Sequence, residues 1–252
     1  MIERLGIRPK WRNAQLQCIP RLLEHQLHIW WLPLELTEEQ KERALKLLTE
    51  MQRDKYERRK SVAQKDAYLA GRYLLMSLLS AYTNTAPNQL ELSYTRLNKP
   101  FLSNHTQNLQ FNFSDTSVAE RSVGVFAFAL SHDVGVDIEA RDRRSNFIEI
   151  AKRRFTQREL EFVHEDGHFN SEKFLAIWTR KEAFGKATGQ GINFKMNACD
   201  LASDDQHDLN FYDSDRRPWR MLQIELAGDF IASVVHAGHQ TMSITAFNYL
   251  EI

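Results

Sequence analysis

The chain reads Gly135-Val136-Asp137-Ile138-Glu139 shortly after its midpoint, a short apolar segment that carries two carboxylates. Residues i and i+2 of a strand point to the same face of the sheet, so Asp137 and Glu139 would lie side by side. Val136 and Ile138 would then point into the core. The segment therefore predicts a strand that presents an acidic pair beside the interior of the protein.

A second segment, Trp178-Thr179-Arg180-Lys181-Glu182-Ala183-Phe184-Gly185-Lys186, is typical of a helix. Residues four apart share a helical face, which puts Glu182 and Lys186 together and leaves Trp178 one turn earlier to anchor Glu182. Carboxylates suit Mg2+, which also takes substrate phosphate oxygens, and a lysine can neutralise phosphate charge. The two segments together predict a magnesium and phosphate site. Its candidate residues are Asp137, Glu139, Glu182 and Lys186, with Lys181 nearby.

The same residue pairs also occur on solvated strand edges and helix faces, and the spacing alone does not exclude that interpretation. Composition does not decide between the two interpretations. The chain has 252 residues, of which 42% are hydrophobic and 11% aromatic, enough for one large domain or two of ordinary size. Lys and Arg number 33 and balance 33 Asp and Glu, so any anion site must arise from local clustering and nucleic acid is not an expected partner.

The start of the chain and its hydropathy bear on the compartment. The first ten residues lack the apolar core of a signal peptide, and no later stretch is long and apolar enough to span a bilayer. Cys18 and Cys199 have no metal-ligand spacing, so both are expected to be free thiols in a reducing environment. We therefore expect a cytoplasmic protein without a membrane partner.

Apolar periodicity predicts a chain in which strands and helices recur in two similar groups. Predicted strands lie at residues 27–34, 90–95, 109–113, 122–130, 134–139, 209–212, 221–226, 231–235 and 242–247. One predicted helix begins at Thr37, where the sequence matches a capping box. Four more predicted helices lie at residues 64–82, 147–155, 156–163 and 171–187. The pattern predicts two α+β halves, residues 1–132 and 133–252, each with strands packed on one long helix and with the site near their interface.

Three more motifs lie upstream of the acidic strand: Ala70-Gly71-Arg72, Asn98-Lys99-Pro100 and Phe111-Asn112-Phe113-Ser114. In order and spacing, these motifs and the two segments at residues 135–139 and 178–186 resemble the 4′-phosphopantetheinyl transferases, in particular their monomeric, two-halved Sfp type. The resemblance covers about residues 67–192. It implies a pseudo-duplicated α+β fold, in which each half is a mainly antiparallel sheet packed with a long helix.

The resemblance also implies an activity, the transfer of the 4′-phosphopantetheine arm of coenzyme A. The acceptor would be a serine of an apo acyl or peptidyl carrier protein, and adenosine 3′,5′-bisphosphate would be released. The metal ligands implied for Mg2+ are Asp137, Glu139 and Glu182. The catalytic residues implied are Asp137, Glu182 and Lys186: Lys186 would steady the phosphate charge, and Glu182 or a metal-bound water would take the serine proton. The coenzyme A-binding positions implied are Arg72, Lys99, Ser114, Asp115 and Lys186.

Asp115 is a departure from the family pattern, which usually has a histidine there that contacts the 3′-phosphate of coenzyme A. At roughly 4 Å, a carboxylate would repel a phosphate by about 1 kcal/mol per charge pair in water and by about 4 kcal/mol in a partly shielded site. We therefore expect Asp115 to turn away or to be bridged by an arginine. The basic segment at residues 53–60 is an alternative source of the phosphate contact.

Basic residues between the segments at 135–139 and 178–186 predict a docking surface for the acidic helix of a carrier protein. They are Arg141, Arg143, Arg144, Lys152, Arg153 and Arg154. Two other functions stay open: a metal-dependent phosphohydrolase or nuclease, and a non-catalytic protein of the same fold that binds coenzyme A or a carrier. A monomer is expected, because a two-halved chain already brings both sides of the site together.

Overall fold

The computed structural model describes residues 9–105, 108–119, 121–143, 145–191, 195–203, 208–226 and 229–251. Its helices are α1 (Glu38–Leu47), α2 (Glu50–Glu57), α3 (Val62–Thr83), α4 (Phe147–Arg154), α5 (Gln157–Phe162) and α6 (Ser171–Ala187). Its strands are β1 (Trp11–Gln15), β2 (Gln26–Pro33), β3 (Leu92–Tyr94), β4 (Pro100–Leu102), β5 (Leu109–Val118), β6 (Arg121–Leu130), β7 (Val134–Ala140), β8 (His164–Glu165), β9 (His168–Phe169), β10 (Asp208–Tyr212), β11 (Pro218–Glu225), β12 (Phe230–Ala237) and β13 (Ser243–Glu251).

Two sheets form the two halves of the fold. The first has five strands in the order β1-β13-β2-β6-β5 and packs against α3. The second has four antiparallel strands in the order β10-β11-β12-β7 and packs against α6. Strands β2, β6 and β5 are antiparallel neighbours, whereas β13 runs parallel to β1 and β2. The predicted pseudo-duplicated α+β fold, with a mainly antiparallel sheet and a long helix in each half, is confirmed.

The long helix α3 forms because its ends are capped and its apolar face is buried. The Ser61 side chain accepts a hydrogen bond from the Gln64 backbone N–H at the first turn, and Asn84 ends the helix in the left-handed conformation. Leucines at helical spacing, such as Leu74 and Leu78, pack on the aromatic side chains of the first sheet. The predicted helix at residues 64–82 is therefore confirmed, as is the capping box at Thr37.

In the second half, α6 lies directly on β7. The contact occurs at Gly135, where a Cβ would collide with the backbone of Ala183 and Ala187. Glycine allows this close approach of helix and strand, because it has no side chain between the two backbones. The predicted helix and the predicted acidic strand are thus held face to face.

A shared apolar core joins the two sheets. Leu27 and Ile29 of the first sheet pack in one cluster with Val136 and Ile138 of the second. Both β7 residues are buried, as the alternation along the strand predicts. At the seam, the Asn112 side-chain oxygen on β5 accepts a hydrogen bond of 3.0 Å from the backbone N–H of Val136 on β7. The two edge strands therefore lie next to each other where the acidic pair begins.

The C-terminal strand differs from the prediction. Strand β13 lies between β1 and β2 in the first sheet, although residues 133–252 were expected to form the second half alone. The division at residues 132 and 133 otherwise stays a prediction. Strand β1, helix α2 and the continuation of β5 to Val118 were not predicted either.

No helix within the described ranges has the length and apolar character needed to cross a membrane, and both cysteines are free thiols.

Candidate active site

Three of the predicted site residues meet where β5, β7 and α6 converge. The Lys186 ammonium donates to Oδ1 of Asp137 and to Oγ of Ser114, at 2.7 Å in each case. The Ser114 hydroxyl also donates to Oδ1 of Asp137, at 2.9 Å. Asp137 is 6% exposed, so this lysine provides the countercharge for a buried carboxylate. The structure therefore brings together residues from both halves, as the sequence predicts.

The other oxygen of Asp137, Oδ2, is buried and has no hydrogen-bond partner. A buried polar atom without a partner costs free energy, so an oxygen in this state is suited to bind a ligand that the chain itself does not supply. Because the atom is a carboxylate oxygen, the ligand that suits it is a cation.

Glu139 lies one step further along the same face of β7. Its Oε1 accepts a hydrogen bond of 3.0 Å from Trp178 Nε1 and is paired with the Arg143 guanidinium. Burial, and then the nearby Asp137, raise the pKa of the Glu139 carboxyl to about 7. Trp178 was predicted to anchor Glu182, but its indole instead holds Glu139.

Glu182 completes the acidic set from α6. Its side chain is half-buried, and burial followed by the Asp137 charge raises the pKa of the carboxyl. Asp137 thus raises the pKa of both Glu139 and Glu182, so each glutamate lies within the field of the Asp137 charge.

The acidic set fits a divalent cation that is completed by substrate oxygens. Among the described residues, no three His, Cys, Asp or Glu side chains are gathered closely enough to hold a metal ion unaided. Lys186 holds one oxygen of Asp137, and Arg143 holds one oxygen of Glu139. Mg2+ usually needs only one or two carboxylates in addition to phosphate oxygens and water, and Asp137 Oδ2 offers the first of these. The three-ligand set of Asp137, Glu139 and Glu182 stays a prediction.

A cationic cavity of about 310 Å³ opens beside Lys186. Lys55, Arg59 and Arg72 also line it, so four positive side chains surround a space with aromatic walls that include Tyr68 and Tyr94. Lys55 and Arg59 belong to the basic segment at residues 53–60. A larger cavity of about 410 Å³ lies near Tyr82, at the other end of α3, but there Arg21 is accompanied by Glu24. The smaller cavity is therefore the better site for a polyanion.

Two family models match the chain. The model of the 4′-phosphopantetheinyl transferase superfamily matches residues 133–235, and the model described as 4′-phosphopantetheinyl transferase, N-terminal, matches residues 31–132. The chain belongs to the 4′-phosphopantetheinyl transferase superfamily. The resemblance inferred from the motifs is thereby confirmed.

Several phosphopantetheinyl transferases are similar to the chain. It is 27% identical to the 4′-phosphopantetheinyl transferase HetI of Nostoc sp., over 86% of this chain and 90% of that protein. It is 28% identical to the 4′-phosphopantetheinyl transferase Sfp of Bacillus subtilis, over 71% of this chain and 78% of that protein. It is 32% identical to the L-aminoadipate-semialdehyde dehydrogenase-phosphopantetheinyl transferase of Rattus norvegicus, over 54% of this chain but only 46% of that protein.

Arg72 and Asp115 bring opposite charges to the cationic cavity and its surroundings. The Arg72 guanidinium lines the cavity, 5.4 Å from the Tyr68 ring centre, and its buried Nε has no hydrogen-bond partner. The Asp115 side chain is open to solvent, yet the walls of the cleft desolvate the carboxyl and raise its pKa, while Lys186, Arg72 and Arg59 oppose the rise. These cations offset only part of the rise, and the expected arginine bridge to Asp115 stays a prediction.

Lys99, another predicted coenzyme A ligand, has its ammonium elsewhere. It lies 2.6 Å from Oδ1 of Asp133 and donates to the carbonyl of Ala187 at 2.7 Å. Its neighbours Asn98 and Pro100 line the cavity, but the Lys99 side chain does not. The spacing of the Asn-Lys-Pro motif could not reveal this, because it does not show which way the side chain leaves the turn.

Lys181, which was predicted to lie near the phosphate, points away from the site. It is 0% exposed, as is Glu159, and the two form an ion pair of 2.8 Å. Lys181 also donates to the Cys199 carbonyl at 2.6 Å, and Arg180 donates to the Leu201 carbonyl at 2.9 Å. These two cations hold the segment at residues 195–203 against the back of α6. The prediction for Lys181 was wrong because consecutive helix residues point about 100° apart.

The predicted docking residues divide into two groups. Lys152, Arg153 and Arg154 are exposed at the end of α4. Arg141 pairs with Glu172 of α6, and Arg143 pairs with Glu139. Arg144 lies outside the described residues. Of the predicted docking residues that the structure describes, those in the last turn of α4 are therefore the exposed ones.

Proposed function

We propose that the chain transfers the 4′-phosphopantetheine arm of coenzyme A to a serine of an apo acyl or peptidyl carrier protein. The observation that carries this proposal is the contact of Lys186 with Asp137 at the mouth of the cationic cavity. A carboxylate that can share a cation and a lysine that can neutralise phosphate lie at one point. That point is where the pyrophosphate of a nucleotide in the cavity would end.

The cavity supports coenzyme A as the co-substrate. Lys55, Arg59 and Arg72 supply positive charge for its phosphates, and Tyr68 and Tyr94 supply aromatic surface for the adenine. The volume of about 310 Å³ suits part of such a molecule, which leaves the pantetheine arm outside and open to a carrier protein. The pyrophosphate would then lie at Lys186 and Ser114.

In the proposed reaction, the serine oxygen of the carrier attacks the phosphorus next to the pantetheine arm. The bond from that phosphorus to the bridging oxygen of the pyrophosphate breaks, and the electron pair leaves with adenosine 3′,5′-bisphosphate. Glu182 takes the serine proton, and its raised pKa makes this carboxylate a stronger base than an exposed glutamate. Lys186 stabilises the negative charge that develops on the phosphate oxygens.

Mg2+, held by Asp137, Glu139 and Glu182, would supply positive charge against the pyrophosphate. The fit rests on the free Oδ2 of Asp137 and on the effect of the Asp137 charge on Glu139 and on Glu182. We also propose that the protein is cytoplasmic. We propose a monomer, since Ser114 of one half and Asp137 of the other already meet within one chain. Exposed Lys152, Arg153 and Arg154 would attract the acidic helix of the carrier.

The test is to incubate the protein with Mg2+, coenzyme A and several apo carrier proteins and to weigh each carrier by intact mass spectrometry. We expect a mass gain of one phosphopantetheine group, and no gain when the target serine of the carrier is replaced by alanine. Glu182→Gln and Asp137→Asn should abolish the gain, whereas the matched variant Glu172→Gln on the same helix should retain it.

Two results would replace the proposal. Tight coenzyme A binding without a mass gain on any carrier would indicate a non-catalytic binding protein. Cleavage of nucleic acid or of a phosphodiester by the wild type, lost in Asp137→Asn, would indicate a metal-dependent phosphohydrolase.

A further inference from the structure

We infer that Lys99 is a positioning residue, which fixes the end of α6 that carries Lys186 against the wall of the cavity, and that it does not bind coenzyme A phosphate. The inference rests on the proposed function. Two features of the structure carry it: where the Lys99 backbone lies, and where its ammonium goes.

The backbone of Lys99 belongs to the cavity wall. Residues 95–99 form a tight turn, closed by hydrogen bonds from the Thr95 N–H to the Lys99 carbonyl, 2.9 Å, and from the Lys99 N–H to Oγ1 of Thr95, 3.1 Å. Asn98 adopts the left-handed conformation, with a φ of 68°. The side chains on either side of Lys99, those of Asn98 and Pro100, line the cavity. Any movement of this turn would therefore move the wall.

The ammonium of Lys99 leaves the first half and binds the second. It makes a charge-assisted contact with Oδ1 of Asp133, which directly precedes β7. It also donates to the carbonyl of Ala187, the last residue of α6, where the helix dipole favours a cation. The side chain is 9% exposed, and its stem lies along Gly189, where an added Cβ would come within 3.3 Å. One mostly buried cation thus joins the cavity wall, the start of β7 and the end of α6.

The position of Lys186 depends on this junction. Ala187 follows Lys186 directly, so the carbonyl that Lys99 binds belongs to the same helical turn as the lysine that contacts Asp137. A ligand role would require Lys99 to abandon Asp133 and Ala187 and to turn into the cavity. A positioning role requires only the contacts that are present.

The experiment separates the two roles by comparing kcat with coenzyme A affinity. Lys99→Met keeps the apolar stem beside Gly189 and removes the ammonium. Carrier labelling should show kcat reduced about tenfold, because misplacement of a catalytic group by a fraction of an ångström to an ångström has costs of this order. The Kd for coenzyme A, measured by calorimetry, should stay within about twofold of the wild type. The comparison variant Arg72→Met, which lies in the cavity, should instead raise the Kd.

Asp133→Asn gives the sharpest distinction. Asp133 lies outside the cavity lining, so in the positioning role its loss should lower kcat in the same direction as Lys99→Met and leave the Kd unchanged. If Lys99 bound phosphate, freeing it from Asp133 would leave kcat intact and tighten coenzyme A binding. Lys99→Arg, which can still reach both partners, should recover most of the kcat.

Three results would overturn the inference. The first is a Kd raised tenfold or more in Lys99→Met with kcat unchanged, and the second is tighter coenzyme A binding by Asp133→Asn. The third is full kcat in both variants. If Lys99→Met does not fold, Asp133→Asn and Lys99→Arg still decide the question. A wild type that labels no carrier would contradict the proposed function itself, a result distinct from any of these three.

Discussion

Gly135 lies so close to Ala183 that a Cβ built on the glycine would be 2.1 Å from the Ala183 carbonyl oxygen. The colliding atoms are backbone atoms of α6, so no rotation of a side chain can relieve the contact. The contact brings the acidic strand into close approach with the helix that carries Glu182 and Lys186. Both the stability of the second half and the geometry of the proposed site depend on it.

Gly135→Ala should therefore displace α6 from β7. We expect a loss of about 3 kcal/mol in the free energy of unfolding, at the upper end for overpacking, together with a large loss of kcat. Urea denaturation and carrier labelling measure the two effects. Val134→Ala on the same strand, which leaves a small cavity, is the control: at a similar loss of stability it should keep most of its kcat.

Lys186→Met should remove the charge that faces the phosphates. We expect kcat to fall about 10²–10³-fold, the usual effect of deleting one group that stabilises a transition state, with a smaller change in the KM for coenzyme A. Steady-state carrier labelling gives both constants. Lys173→Met on the same helix, where the lysine pairs with Glu165, should change kcat by less than about twofold. Equal losses in the two variants would contradict the role of Lys186.

Arg143→Gln should strengthen the binding of Mg2+. Arg143 neutralises Glu139 in the metal-free protein, so a cation must compete with the guanidinium for this carboxylate. Removing an ion pair of about 1 kcal/mol should raise the affinity about fivefold, as measured by calorimetric titration of Mg2+ into the protein saturated with coenzyme A. Arg141→Gln removes the same charge from the same loop but breaks a pair with Glu172, and its affinity should change little. Weaker Mg2+ binding by Arg143→Gln would show that Arg143 instead orients Glu139.

Asp115→His should tighten coenzyme A binding. The carboxyl lies in the field of Lys186, Arg72 and Arg59, where it cancels charge that would otherwise attract phosphate. Asp115→Asn separates loss of this charge from gain of a new contact, so the asparagine variant should show part of the improvement. Calorimetry gives the Kd of each protein. An unchanged or higher Kd in Asp115→His would refute the repulsion between Asp115 and the phosphate.

Two buried histidines should make the protein less stable in acid. Burial lowers the pKa of His28 and of His236 from 6.5 to about 4. Between these values the unfolded chain binds protons that the folded protein does not, so stability is complete above pH 6.5 and falls as the pH approaches 4. Each histidine should contribute a loss of about 2 kcal/mol between pH 7 and pH 5.

Denaturation curves at several pH values measure this loss. His28→Gln keeps a polar atom near the Tyr82 hydroxyl, which His28 contacts at 2.8 Å, and should flatten the pH dependence by about 2 kcal/mol over the same range. His168→Gln, at an exposed position, should leave the slope unchanged. Identical slopes in all three proteins would exclude His28 as a source of the acid sensitivity.

The sequence was sufficient to predict the elements that bury one face. Helix α3 has leucines at helical spacing and β7 alternates apolar and acidic residues, so the period of burial identifies each element and the face it buries. The meeting of Asp137 with Lys186 does not follow from these periods, which place each residue only on a face of its own element; it was expected from the chemistry of the two segments and from the family resemblance. Short or exposed elements such as α2 and β1 carry too little of this pattern to be predicted.

The directions of single long side chains could not be predicted. Lys99 and Lys181 both occur in motifs next to the site, yet each turns to a partner distant in sequence: Asp133 for the first and Glu159 for the second. Which side chain turns inward depends on the packing of the completed fold. The return of β13 to the first sheet is of the same kind, since strand order depends on pairing partners and not on local pattern.

The place of β13 has a consequence for the order of assembly. Among the described strands, β1 pairs only with β13, so it has no strand neighbour there until residues 243–251 have been synthesised. Until then, the position next to β2 that β13 occupies in the folded sheet stays unfilled. A nascent chain halted before residue 243 should therefore remain a substrate for chaperones, even when α6 has already formed.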